Sequence, residues 1–272
     1  MSTIPRLLIA GCGDLGVRLA VHLPDWEVHG LRRRPEQLPD GIMAHAGDLT
    51  RPETLTALRG HWDAVVYTAT PSARTADDYR RAYVDGLAGL LQVVHSDRLL
   101  FVSSTAVHGQ DQGEWVDELS TAEPTSFNGE ILLEAEALAA SAGAVTVRFS
   151  GIYGPGRDWL IRSLRAGKLR CRRDPPLWTN RIHAEDCAGA LAHLLKLAKP
   201  DALYLASDAR PAPRWEVLEW LAGALGVAGP VEDQTSSEGQ GKRVRAARLL
   251  ASGYSLRYPD YTAGYTEMLA CE

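Results

Sequence analysis

AGCGDLG, residues 10–16, decides how this chain folds. Gly11, Gly13 and Gly16 stand in the spacing G-x-G-x-x-G. The apolar run 7–10 before them reads as a buried strand, and 15–23 after them as a helix. Strand, glycine turn and helix in that order is the context in which this spacing carries chemistry. The glycines permit a tight turn and close approach of the backbone to a phosphate. The helix N-terminus offers unpaired N–H groups and the positive end of its dipole. The stretch therefore predicts a dinucleotide pyrophosphate held by Gly11, Gly13, Asp14, Leu15 and Gly16.

Outward from this turn, short apolar runs at 27–31, 42–46, 64–68, 99–103 and 145–149 read as further strands. Helical spacing is present at 54–59, 77–95 and 130–141. Continuously apolar strands alternating with helices imply a parallel sheet covered on both faces, so 1–150 reads as a doubly wound α/β (Rossmann) domain. The character then changes. GIYGPGRD (151–158) is a Gly/Pro loop, 166–180 is basic and irregular, 185–197 is an amphipathic helix, and Pro213 suits the first turn of a helix reaching 225. These segments suit a smaller α+β substrate-binding domain over 151–272, with 181–206 returning to the first domain. SSEGQGK (236–242) reads as a mobile loop.

The end of the second strand reads GLRRRP. A site for NAD usually places a carboxylate there, on the ribose hydroxyls. This chain has Arg32, Arg33 and Arg34, and guanidinium groups suit a 2′-phosphate, so NADP is expected over NAD, which stays possible; a solvated basic loop is the plainer account of the run. In GDLT (47–50), Asp48 could bond the adenine amino group with Leu49 packing beside it; an aspartate before a helix is also a good cap. Thr68, Ala69 and Thr70 follow the fourth strand and would pass beneath the nicotinamide ribose.

The bulk properties exclude several functions. The 272 residues are 45% hydrophobic and 23% charged, ordinary for a globular chain, and the net charge of −5 argues against a nucleic-acid partner. Cys12, Cys171, Cys187 and Cys271 are far apart and form no CxxC pair, so neither a zinc site nor a disulfide framework is expected, and no metal is assigned. No apolar run approaches the roughly 18 residues of a membrane span. The N-terminal run is too short for a signal peptide, which points to the cytoplasm.

Taken together, AGCGDLG, GDLT, FVSSTAVHG, PTSFNGEILLEAE, RFSGIYGPGR and TNRIHAEDCAGA occur in the order found in the short-chain dehydrogenase/reductase superfamily. The chain resembles its extended branch, the NAD-dependent epimerase/dehydratases, and within that an atypical YeeZ-like subgroup. The resemblance covers about residues 7 to 190, and ASGYSLRYPDYTAGY near the C-terminus looks like the family's ending. It implies a catalytic Ser or Thr after the fifth strand, a place taken by Ser104 with Thr105 beside it. It also implies a Tyr and a Lys four residues apart on the next helix, the Tyr as acid/base and the Lys holding the ribose. Those places hold Asn128 and Leu132. The only lysines are Lys168, Lys196, Lys199 and Lys242, so no Tyr-x-x-x-Lys exists in the first half.

The amide of Asn128 cannot exchange a proton, and Leu132 cannot bind a hydroxyl. His108, where the family usually has tyrosine, is the replacement acid/base candidate, with a partly buried loop histidine as the plainer account. Glu130 fits a helix first turn without further purpose, and Asp111, Glu114, Asp117 and Glu118 read as a solvated loop. Asn128, Tyr153, Arg157, Arg181 and His183 are substrate-side candidates. Arg148 and the basic KLRCRR (168–173) could add to an anion-binding character, with a solvated basic loop as the equal alternative. Asp186 reads as a group that caps or orients the helix that follows. The expected function is an atypical NAD(P)-dependent oxidoreductase or epimerase-like enzyme acting on a small phosphate- or carboxylate-bearing substrate. The alternatives are a non-catalytic NADP-binding redox sensor and, third, a lyase or isomerase. The helices 77–95 and 130–141 are where the superfamily forms homodimers, so a homodimer is a possible assembly.

Overall fold

The glycine turn lies where the winding of a seven-stranded sheet reverses. In the computed structural model, which describes residues 4–233, 235 and 239–270, the strands follow the order Leu203–Ala206, Val145–Phe149, Val94–Ser104, Gly60–Tyr67, Arg6–Ala10, Glu27–Arg32, Met43–Ala46. The first strand pairs in parallel with Glu27–Arg32 on one side and Gly60–Tyr67 on the other. The crevice at the carboxyl ends of those strands is the ligand position of an open α/β sheet. The architecture is the doubly wound Rossmann-type fold expected from the glycine motif. Cys271 and residues 236–238 of the expected mobile loop lie outside the described residues.

The chain divides into two units. The first comprises Met1–His108, Ala122–Arg148 and Ala188–Tyr204. Its core joins Leu8, Ala10, Leu31, Val65, Tyr67 and Phe101 from the sheet with Leu87, Leu90, Ala135 and Ala139 from the covering helices. Tyr67 carries a polar group deep inside that cluster, and its hydroxyl donates to the Ala82 carbonyl at 2.5 Å, within a π-helical turn at Arg81–Asp85. Two boundaries differ from the sequence reading. The helical pattern at 77–95 ends at Leu91, and the next strand begins at Val94 and runs to Ser104. His95 and Ser96 pair with His61 and Trp62 there, so polar residues that look like a connection extend the sheet instead. The stretch read as a helix at 54–59 is a 3₁₀ segment, Pro52–Leu58.

The second unit comprises Gly109–Thr121, Phe149–Cys187 and Leu205–Glu272. Its core gathers Tyr153, Ile161, Leu164, Leu218, Leu221, Tyr261 and Tyr265. A four-stranded sheet runs in the order Ala212–Pro213, Trp178–Thr179, Gly241–Val244, Gln112–Val116. The segment read as a solvated loop around Glu114 is therefore a strand. Arg243 holds it, its guanidinium 5.0 Å from both the Trp115 and Trp178 rings, an attraction between strands that no local pattern announces. The segment 166–180 likewise contains two short strands, Arg170–Cys171 and Trp178–Thr179. Among the described residues no helix is long and apolar enough to cross a membrane.

Candidate functional site

The glycine loop is built by close approach. Gly11 has φ +82°, a conformation side chains rarely adopt, and a Cβ there would lie 2.5 Å from the Ala69 Cα. The amides of Gly11 and Cys12 both donate to the Leu31 carbonyl, at 3.0 and 2.9 Å. Thr68 fastens the other side: its amide donates to the Ala10 carbonyl at 2.9 Å and its hydroxyl to the Gly11 carbonyl at 3.1 Å. Gly16 admits the helix onto the strand, since a Cβ there would meet Ile9 at 2.8 Å and Cys12 Sγ at 2.9 Å. At Gly13, by contrast, the nearest atom to a Cβ would be 3.9 Å away. The face above Gly13 is open, and the helix Asp14–Val21 that follows has no side-chain cap. An open glycine before an uncapped helix N-terminus fits a pyrophosphate, whose oxygens take N–H groups of the first turn.

At the end of the second strand, Arg32 is half-buried and donates to Gln37 Oε1 at 2.6 Å, while Arg33 and Arg34 are exposed. Asp48 uses Oδ1 to accept from the Thr50 amide (3.0 Å) and hydroxyl (2.8 Å), the turn-capping reading of that residue. Leu49 packs against the first unit's core. Of the three residues after the fourth strand, Thr68 is committed to the loop, Ala69 abuts Gly11, and Thr70 is exposed.

Ser104 ends the fifth strand half-buried, and its Oγ accepts from the Ala106 amide at 3.2 Å. Thr105 beside it is buried. The helix Phe127–Ser141 packs directly on this turn, because a Cβ on Gly129 would lie 2.7 Å from the Ala106 carbonyl. Asn128 is half-buried at its start and Leu132 is 2% exposed. The third member of that four-residue row is Glu136, also buried. Its carboxylate accepts from Ser103 Oγ at 2.5 Å and from Arg148 Nη2 at 2.6 Å and Nε at 3.0 Å. Arg148 Nη1 lies 3.2 Å from His108 Nε2. Since guanidinium only donates, Nε2 accepts, and the imidazole proton sits on Nδ1. His108 is 1% exposed, so the replacement acid is walled in behind Arg148. Arg148 itself, grouped by sequence with the substrate-facing basic residues, is buried in this ladder.

The second unit holds the remaining candidates. Tyr153, Arg181 and His183 are buried, and Arg157 is exposed. The Tyr153 ring stands edge-on to His183 at 5.2 Å and tilts against Tyr265 at 4.7 Å. Burial, aided by the Asp208 charge, pushes the Tyr153 phenol far above its ordinary range. His183 Nδ1 accepts from the Glu185 amide at 3.3 Å, at the start of the helix Ala184–Lys196. Asp186 does not cap that helix. Fully buried, it accepts from the Arg257 and Tyr258 amides at 2.7 and 2.9 Å and the Tyr254 hydroxyl at 2.9 Å, so it anchors the segment before the last helix. Of the basic run 168–173, Arg172 is tied to the Pro175 carbonyl at 2.7 Å, and Lys168, Arg170 and Arg173 are exposed.

Two groups escaped the sequence reading. Glu136 shares a helix row with Asn128 and Leu132, a spacing that could have revealed it. Asp208, 2% exposed, has its carboxyl pushed up to about 7, mainly by burial and against the pull of Arg181. Nothing in its local sequence marks it.

The family model described as NAD dependent epimerase/dehydratase matches residues 7–205. Protein YeeZ of Escherichia coli (strain K12) is 29% identical over 273 residues, covering 94% of this chain and 97% of YeeZ. A solved structure from Methylobacillus flagellatus, assigned to the NAD-dependent epimerase/dehydratases, is 40% identical with a TM-score of 0.85 and covers 99% of both chains. Human epimerase family protein SDR39U1 (isoform 2), solved with NADPH, shares the fold at 19% identity and a TM-score of 0.78, covering 97% of this chain and 99% of that one.

Proposed function

The chain belongs to the NAD dependent epimerase/dehydratase family, and we propose that it is an NADP-preferring oxidoreductase or epimerase-like enzyme acting on a small anionic substrate without the tyrosine–lysine pair. The observation that carries this reading is the dinucleotide loop: Gly11 pressed on Ala69, Gly13 open, and the helix end uncapped. Arg32 and Arg33 support NADP, since they stand where a carboxylate would favour NAD. The nicotinamide would supply hydride transfer. Ser104 Oγ accepts the Ala106 N–H, which leaves its own proton to donate to a substrate oxygen. With His108 enclosed, a water at Ser104 is the readier proton source, and His108 supports the turn through its amide bond to the Thr105 carbonyl at 3.2 Å. Asn128 can orient substrate by hydrogen bonding only.

Stereospecific exchange of hydride from deuterated NADPH, across a panel of small phosphates and carboxylates, tests the enzyme reading. Turnover untouched by Ser104→Ala and His108→Ala together would overturn the catalytic assignment. Fluorescence titration of both cofactors tests the preference, and equal or tighter NADH binding would sink it.

A second reading, a non-catalytic NADP-binding regulator, is favoured by one observation: the lysine position holds a leucine that is 2% exposed. A tight NADPH complex with no isotope exchange on any member of the panel would favour this reading over the first.

A further inference from the structure

The second unit contains a buried cation and a buried acid, each with one side-chain atom that has no hydrogen-bond partner. Arg181 is 6% exposed; its Nη2 donates to Thr179 Oγ1 at 2.5 Å, while Nη1 is sealed from solvent with no hydrogen-bond partner. Asp208 is 2% exposed; its Oδ1 accepts from the Arg210 amide at 3.3 Å, while Oδ2 is sealed with no partner. The two residues are neighbours through the backbone, because the Asp208 amide donates to the Arg181 carbonyl at 2.7 Å. Asp208 lies within reach of the Arg181 charge, yet neither Nη1 nor Oδ2 is paired, and burying an unpaired donor or acceptor is costly.

The surroundings do not supply the missing groups. The face of Tyr261 lies 5.4 Å from Arg181 and 5.3 Å from Arg210, and its hydroxyl donates to Glu216 at 2.8 Å. Arg210 itself is engaged by Glu216 at 2.8 Å. The Asp186 carboxylate is filled by the donors named above, and Asp260 Oδ1 accepts from the Thr262 hydroxyl and the Ala263 amide. His183 is stacked on Tyr258 at 4.0 Å, and Tyr153 and Tyr265 are phenols held neutral by burial.

We propose that Arg181 and Asp208 form a proton-linked carboxylate site, in which one carboxylate oxygen accepts from Arg181 Nη1 and the other from a protonated Asp208 Oδ2. The proposal rests on the anionic-substrate reading above and names its chemistry. One charged donor and one acid match the two oxygens of a carboxylate, one each. A phosphate dianion would add a second negative charge beside Asp260 and Asp186. The Asp208 carboxyl, raised to about 7 by burial, with Asp260 and Asp186 adding to the rise, needs little further push to stay protonated beside an anion. Each carboxylate bound above that pH therefore takes one proton from solution, and no bond other than this O–H is made.

Isothermal calorimetry of the NADPH-loaded chain with glycolate, and separately with inorganic phosphate, tests this in two buffers of different ionisation enthalpy. At pH 8 the expected result is uptake of close to one proton per glycolate, with affinity falling roughly tenfold per pH unit above about 7. Asp208→Asn, whose amide can donate in place of the acid, should keep glycolate binding and lose both the proton uptake and the pH dependence. Arg181→Gln should abolish binding. Glycolate binding without proton uptake, or phosphate binding without glycolate binding, overturns the proposal and leaves the anionic-substrate reading standing. Binding of neither anion overturns both. A crystal soaked in glycolate that shows only a water between Nη1 and Oδ2 also overturns the proposal.

Discussion

Replacing Glu136 by glutamine should be among the most damaging isosteric changes in the first unit. The carboxylate is enclosed, with side-chain exposure of 10% against 7% for Arg148, and it receives Ser103 Oγ and two guanidinium nitrogens. Glutamine keeps the shape but removes the charge, and its NH₂ would face donors. Arg148 would then be a buried cation with no counter-charge, a loss of about 3–5 kcal/mol when one partner of such a pair is removed. At roughly 2–4 °C per kcal/mol for a chain of this size, the melting temperature should fall by roughly 6–20 °C. Circular dichroism through the thermal transition at pH 7 measures it. The control is the apolar pair Glu136→Leu with Arg148→Met, which should recover most of the loss, since replacing both members of a buried ion pair is often near neutral. A Glu136→Gln loss under about 1 kcal/mol, or a double variant as unstable as the single one, would refute the argument that this pair fixes the helix.

Three further outcomes follow from the site. Gly11→Ala forces a Cβ to within 2.5 Å of the Ala69 Cα at φ +82°, so it should cost about 1–3 kcal/mol of stability in chemical denaturation and abolish NADPH binding by fluorescence. Arg32→Ala with Arg33→Ala should weaken NADPH by roughly ten- to a hundredfold, the worth of charge-assisted bonds to a phosphate, and NADH by less than about twofold. Equal losses for the two cofactors would show that these arginines do not read the 2′-phosphate. The Asp208 carboxyl binds its proton more tightly folded (about 7) than unfolded (3.8), so its contribution to stability is present at low pH and is lost as pH rises through about 4 to 7. Asp208→Asn should flatten that slope and stabilise the chain above pH 7; an unchanged slope in pH-dependent denaturation would contradict it.

The sheet was legible because its inner strands are buried on both faces, so runs such as LLIA and AVVYT are apolar without interruption, whereas the edge strand Met43–Ala46 is largely exposed. The glycine turn was legible because its geometry admits few other residues. Partners distant in sequence were not. The strand at Gln112–Val116 looks polar because its apolar support, Trp178 stacked on Arg243, is supplied from elsewhere in the chain. Asp186 sits at a helix start, as caps do, yet its partners lie about seventy residues on. His108 was recognised as a titratable residue beside Ser104, but its enclosure depends on Arg148, forty residues away.

The row Asn128, Leu132, Glu136 separates two properties that usually travel together in such a helix. Its orientation is set by the last member, through Arg148 and Ser103, and its reactivity would be set by the first two. The half-buried Asn128 can therefore be exchanged without touching those bonds, whereas a charge at Leu132, 2% exposed, would be buried. A chain arranged this way can gain or lose a chemistry at Asn128 by single substitution while its scaffold stays under separate selection.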